Sequence, residues 1–247
     1  MNNLVILQAR MASTRLPGKV MLEINGIPSI KFQIDRIRNS KIDNLVVATS
    51  TDYSDDILVA YLKTIDVEVR RGPLEDVATR FQQILDEYNP ESFLRLTADC
   101  PFVMPKLIDQ MLDCFQLKNL DYLTNSTPPT FPDGLDIEVV KTSAFMNLVS
   151  LHLTAREREH VTLGFNSGNR EFIRDNFGNL SDLSYLRWTL DYPEDLEYLR
   201  KIASYLVGRE KYFAFEDILE ILENHPEIVN HRGSNFRNIA LKLDSQE

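Results

Sequence analysis

The run Leu4-Val5-Ile6-Leu7-Gln8-Ala9-Arg10-Met11-Ala12-Ser13-Thr14-Arg15-Leu16-Pro17-Gly18-Lys19 decides how the rest of the chain is read. Leu4 to Leu7 is a short unbroken apolar stretch, the pattern of a strand buried on both faces. It opens into small residues and the cations Arg10, Arg15 and Lys19, with no acid before Glu23. With 37 acids in 247 residues, chance would place about three in that span. A strand ending in a small-residue, cationic loop suits an oxyanion: backbone N–H groups cradle oxygens while Lys and Arg neutralise them. The other reading is a surface loop whose charges are merely solvated.

Outward from this loop the pattern alternates. Pro28 to Arg38 has helical spacing through Ile30, Ile34 and Ile37, and Leu45 to Thr49 is a second apolar strand. A helix through Leu58 and Leu62, a short strand at Val67 to Val69, a helix from Pro73 to Tyr88, a strand from Phe93 to Thr97 and a helix from Pro105 to Leu117 follow. Strict alternation of strand and helix predicts right-handed crossovers and a mainly parallel sheet, with ligands gathered at the carboxyl ends of the strands. From Asp121 the rhythm changes: a short strand at Tyr122 and Leu123, a proline-rich loop, then an alternating strand from Leu135 to Val140. Helices are expected over Ser143 to Leu151 and Ala155 to Asn166, then a weak segment at Phe172 and Ile173, a strand from Leu186 to Leu190 that runs into Asp191-Tyr192-Pro193-Glu194-Asp195 and a helix to about Val207, and a last helix from Phe215 to Glu223. Without a linker-like break, residues 1–234 are expected to form one domain, with a polar tail over 235–247.

Composition narrows the function. A net charge of −10 excludes a broad nucleic-acid or anionic-membrane surface, so basic chemistry must be local. Cys100 and Cys114, with four scattered histidines, indicate neither a disulfide framework nor a thiolate zinc site. Reduced cysteines and the lack of a signal-like start or a spanning apolar run predict a cytoplasmic protein with no membrane insertion. Gly-x-Gly-x-x-Gly and the P-loop pattern are absent, as is Asp-x-Asp.

Asp99 and Asp191 each follow a predicted strand and are expected at the same rim as the opening loop. Two carboxylates beside a polyphosphate suit Mg²⁺, which takes one or two carboxylates plus phosphate oxygens. For Asp191 the competing reading is a helix N-cap with Glu194 three residues on. Asp136 and Glu138 share one strand face, which reads as a solvated face, a substrate-facing pair or a glycosidase-like carboxylate pair. His160 lies on a charged helix, and Arg70-Arg71-Gly72 brings cations to the rim after the third strand.

The Leu7 to Lys19 run resembles the signature of the cytidylyltransferases that activate acidic sugars, the acylneuraminate and 3-deoxy-manno-octulosonate group, and in particular its branch of spore-coat polysaccharide biosynthesis protein F homologues. The likeness continues through Arg95-Leu96-Thr97-Ala98-Asp99-Cys100-Pro101, Pro132-Asp133-Gly134-Leu135-Asp136-Ile137-Glu138, Glu157-Arg158-Glu159-His160 and Trp188-Thr189-Leu190-Asp191. It implies a glycosyltransferase-A-like α/β fold with a mainly parallel mixed sheet flanked by helices, CTP and a sugar acceptor as small-molecule partners, Mg²⁺, and a homodimer. By position it implies that Arg10, Ser13, Arg15 and Lys19 hold the triphosphate, with Arg10 and Lys19 catalytic. Ala9, Arg71 and Thr97 would line the cytidine pocket, Asp99 and Asp191 bind metal, and Asp133, Asp136, Glu138 and His160 face the acceptor. Expected rivals are a glycosyltransferase of similar fold using a nucleotide sugar, and a non-catalytic nucleotide-binding protein.

Overall fold

The computed structural model describes residues 3–166 and 171–228; the expected tail over 235–247 lies outside them. Strand β1 (Asn3–Gln8) leads through the opening loop to a short hairpin, β2 (Glu23–Ile24) and β3 (Ile27–Pro28), and helix α1 (Ser29–Ile37). Strand β4 (Asn44–Ser50), α2 (Asp56–Thr64), β5 (Glu68–Gly72), α3 (Val77–Tyr88), β6 (Ser92–Thr97) and α4 (Pro105–Lys118) complete the alternating half. Then come β7 (Tyr122–Thr124), β8 (Glu138–Lys141), α5 (Thr142–Ser150), α6 (Ala155–Glu159), α7 (Leu163–Asn166), β9 (Arg174–Asn176), α8 (Pro193–Ser204) and α9 (Phe215–Asn224).

The main sheet has the order β5-β4-β1-β6-β8-β7-β9. Its first four strands are parallel, as the alternation demands. β8 runs antiparallel to both β6 and β7, and β7 pairs parallel with β9, so β8 alone in this sheet is reversed. The first residue of β8 therefore reaches the rim where its neighbours end. Period-two alternation divides the core between the two faces: Val5 and Leu7 join α1, α2, α4 and α8 on one side, while Leu4 and Ile6 join Phe81, Phe93 and Phe145 on the other.

Local departures from the sequence reading have identifiable causes. The strand expected over Leu135 to Val140 begins only at Glu138, because the Asn125 amide takes the place of a neighbouring strand. It donates to Leu135 O at 2.7 Å and accepts from Ile137 N at 2.8 Å. The helix expected from Pro73 begins at Val77, where Asp76 caps by accepting from Thr79 N, and the Pro73 and Leu74 carbonyls go to Arg80. The helix expected over Ala155 to Asn166 breaks at His160 to Thr162, with Val161 at positive φ. Leu186 to Leu190 is not a sheet strand: an isolated bridge pairs Arg187 with Asp133, and Leu190 N donates to Asp99 O at 2.8 Å. This stretch crosses the strand ends and joins their loops.

Candidate active site

Each part of the opening loop has an anchor. Ala9 is buried and donates its N–H to Ala48 O at 3.1 Å, carrying the sheet ladder one step past β1. Met11 N donates to Asp55 Oδ1 at 2.7 Å. Asp55 is fully buried and also accepts from Thr49 Oγ1, Ser50 N and Ser50 Oγ, so one carboxylate ties the loop to the end of β4. The Ser13 hydroxyl accepts from Leu16 N at 3.3 Å, and Gly18, at φ 70°, turns the chain into the short helix Lys19–Met21. Arg10 remains exposed.

This geometry aims Lys19 back across the rim. Its Nζ donates to Asp99 Oδ2 at 2.9 Å and to Asp191 Oδ1 at 2.8 Å, bringing together three residues that sequence spacing had placed only on a common edge. Arg15 Nη2 meets Asp191 Oδ2 at 2.9 Å, and Thr97 Oγ1 donates to Asp99 Oδ1 at 2.6 Å. Burial on its own raises the Asp99 carboxyl, but the Lys19 ammonium and the Thr97 hydroxyl hold it well below the usual carboxylate range. Asp191 is likewise lowered, with Lys19 and Arg15 outweighing burial and the like charge of Asp99. Lys19 in turn is raised above the ordinary lysine value, because the two carboxylates overcome its burial.

The N-cap reading of Asp191 is corrected. Tyr192 is the N-cap of α8, and Asp195 accepts from Asp191 N at 2.9 Å and Tyr192 N at 3.0 Å. The frame is shifted one residue from the expected Asp191–Glu194 pair, which leaves the Asp191 carboxylate facing the rim.

Beside these residues lies a cavity of about 470 Å³ lined by Arg15, Thr97, Asp99 and Asp191, and by Asp133, Asp136, Glu138 and His160. Asp136 and Glu138 therefore face a cavity and do not form an open solvated surface. Glu138 is held on both oxygens: Oε1 accepts from Tyr122 OH and Thr162 Oγ1, each at 2.6 Å, and Oε2 from Arg95. Arg71 lies apart from the cavity lining. At the end of edge strand β5 it donates to Ser50 O, Asp52 O and Asp56 Oδ1, bracing the β4–α2 loop.

Four residues central to this arrangement were not singled out by sequence reasoning. Arg95 was within reach, since it shares a strand face with Thr97. Asp55 and Asp195 looked like ordinary helix-start acids. Arg187 looked like the polar position of a strand, yet it is buried. It donates to Asp133 at 2.6 Å, to Asp191 at 3.2 Å and through two nitrogens to Asp195.

The donor chemistry fits a hard divalent cation. Two carboxylates already converge on one cationic centre, and hard oxygen ligands suit Mg²⁺ completed by phosphate oxygens and water. Among the described residues there is no cluster of three or more His, Cys, Asp and Glu side chains of the kind an all-protein metal cage needs. No helix among them is long and apolar enough to cross a membrane.

A family model described as cytidylyltransferase matches residues 4–226. The spore coat polysaccharide biosynthesis protein SpsF of Bacillus subtilis is 31% identical over 240 residues, covering 93% of this chain and 97% of that protein. The structure of a cytidylyltransferase from Leptospira borgpetersenii superposes with a TM-score of 0.89 at 33% identity, over 94% of this chain and 98% of that one. CMP:2-keto-3-deoxy-manno-octonic acid synthetase, solved with CTP, shares the fold at a TM-score of 0.63 and 15% identity, over 83% and 99% of the two chains.

Proposed function

This chain belongs to the cytidylyltransferase family, and from that premise we propose that it transfers CMP from CTP to a sugar or sugar-acid acceptor, releasing pyrophosphate, in surface polysaccharide or glycan biosynthesis. The observation that carries the reading is the convergence of Lys19 on Asp99 and Asp191 beside the 470 Å³ cavity. It puts a cationic loop, two hard carboxylates and room for an acceptor at one rim.

In this reading Arg10, Ser13, Arg15 and Lys19 hold the triphosphate, and Ala9, Thr97 and, more peripherally, Arg71 border the cytidine. Asp133, Asp136 and His160 face the acceptor; Glu138, saturated by its own partners, shapes that compartment. An acceptor oxygen attacks the α-phosphorus in line; the new P–O bond forms as the bond to the pyrophosphate oxygen breaks, and the acceptor's proton passes to solvent. Lys19 and Arg15 offset charge building on the leaving pyrophosphate. A unit pair at 4 Å is worth about 4 kcal/mol at an effective dielectric of 20, about three orders of magnitude in rate. Asp99 and Asp191 would hold Mg²⁺, which when bound supplies further charge neutralisation at the phosphates and lowers the acceptor hydroxyl's pKa.

The reading also takes residues 1–234 as one nucleotidyltransferase domain acting in the cytoplasm as a homodimer.

The test is a pyrophosphate-release screen of the four nucleoside triphosphates against acidic and amino sugars with Mg²⁺. Release from CTP with one acceptor class is expected. CTP binding without release for any acceptor would favour a non-catalytic protein, and preference for another nucleotide would overturn the CTP assignment.

A further inference from the structure

All four carboxylate oxygens of the Asp99–Asp191 pair are in use. Lys19 takes one from each, at 2.9 and 2.8 Å. Thr97 holds the second oxygen of Asp99, while Arg15 and Arg187 hold that of Asp191. The ammonium thus occupies the position between the two carboxylates that a divalent cation requires. The two cations cannot share it: they would repel at contact distance and compete for the same oxygens. Lys19 nevertheless sits at the end of a flexible four-carbon stem, on the loop that faces the triphosphate.

We propose that Lys19 is a stand-in cation that keeps metal out of the nucleotide-free site, and that the triphosphate of CTP draws it off, so that nucleotide and metal bind cooperatively. The inference rests on the assignment of Asp99 and Asp191 to metal made above. It adds a second role to the lysine: before it neutralises phosphate it guards the carboxylates. By linkage, the factor by which nucleotide tightens metal binding equals the factor by which metal tightens nucleotide binding. A lysine that served only the phosphates would make no such prediction, because its removal would leave metal binding without nucleotide unchanged or weaker.

The probe is Mn²⁺, titrated into the nucleotide-free full-length protein and followed by the loss of the free-ion electron paramagnetic resonance signal. Lys19→Met is expected to bind Mn²⁺ about tenfold or more tightly than wild type. Lys19→Arg, which keeps a cation, should not, and adding Asp99→Asn to Lys19→Met should abolish the gain. Equal or weaker Mn²⁺ binding by Lys19→Met overturns the proposal. Should that variant fold poorly, wild type supplies an independent reading: excess Mn²⁺ should raise acetylation of the Lys19 amine severalfold by mass spectrometry, and unchanged labelling overturns the proposal. Two failures are distinguishable. If Asp99→Asn and Asp191→Asn abolish the Mn²⁺ uptake that exceeds a protein-free CTP control but Lys19→Met binds no tighter, only the stand-in role falls. If those variants take up Mn²⁺ like wild type, the metal assignment falls with it.

Discussion

Asp133 and Arg187, 54 positions apart, are joined side chain to side chain, and the backbone of Asp133 is bonded to the residues on either side of Arg187. Arg187 Nη1 donates to Asp133 Oδ2 at 2.6 Å, Trp188 N donates to Asp133 O at 2.6 Å, and Asp133 N donates to Leu186 O at 3.0 Å. The loop carrying Asp133 and Asp136 is thereby fixed to the stretch that delivers Asp191, with the buried Arg187 common to both.

Gly134 makes that junction possible. It has φ 105°, and a Cβ there would lie 2.5 Å from Trp188 C and Thr189 N. Gly134→Ala is expected to destabilise the fold by on the order of 1–3 kcal/mol from backbone strain alone, with a further cost from the backbone clash, and to raise the KM for the acceptor. Urea unfolding and steady-state kinetics measure both. A stability within about 0.5 kcal/mol of wild type would mean that the junction tolerates separation.

Asp191 and Asp195 should behave oppositely. Asp195 accepts both backbone N–H groups at the start of α8 and two nitrogens of Arg187. Asp195→Ala leaves a buried guanidinium short of its main partner and should cost about 3–5 kcal/mol. Asp191→Asn should cost clearly less, since Lys19 keeps Asp99 and Arg187 keeps Asp133 and Asp195, while turnover falls about 100-fold or more. A matched loss of stability in both variants would return Asp191 to a structural role.

The pH dependence has a definite sign. The folded-state values of Asp99 and Asp191 lie below their ordinary 3.8, so their stabilising contribution is complete above that value and is lost as pH falls through the lower folded values. Lys19→Met removes the principal cation. Its stability deficit against wild type should be largest near neutrality and should narrow as the solution is acidified toward about pH 3. Urea unfolding at several pH values checks this, and a gap that stays constant or widens in acid contradicts it.

Arg36 tests a site remote from the chemistry. Fully buried on α1, it donates to Val103 O at 2.8 Å, Glu210 O at 2.9 Å and Phe213 O at 3.0 Å, with its guanidinium 3.3 Å from the Phe213 ring centroid. Arg36→Met strands these carbonyls and should cost about 3 kcal/mol. Arg36→Lys should recover only part, since an ammonium cannot reproduce the planar fork. Activity per folded molecule should not change in either variant.

The parallel half of the fold was legible because its strands obey one rule throughout: apolar runs, each ending at the same rim. That rule also carried Asp99 to the correct edge; Asp191 lies at the same edge although the strand expected before it is not one. The second half was harder to read because side chains replace regular partners there. The Asn125 amide shortens β8, Tyr192 with Asp195 three residues on takes the cap that Asp191 resembled, and Leu186 to Leu190 has the composition of a strand while its backbone bonds go to loops. Arg187 escaped notice for a related reason. A lone arginine in an apolar stretch gives no signal until the three carboxylates it serves, drawn from positions 133, 191 and 195, are folded around it.

The reversed strand β8 has a consequence for how this molecule can diversify. Forward strands bring their side chains to the rim at the end of a rigid run, so that end of the site is set by the ladder of β5, β4, β1 and β6. β8 reaches the rim at its beginning, fed by the irregular segment 125–137, whose length and composition the ladder does not constrain. On the proposed reading, the protein is a fixed socket for the nucleotide with an exchangeable adaptor for the acceptor, and grafting 121–190 from a relative onto an otherwise unchanged chain is expected to change the acceptor while the nucleotide is kept.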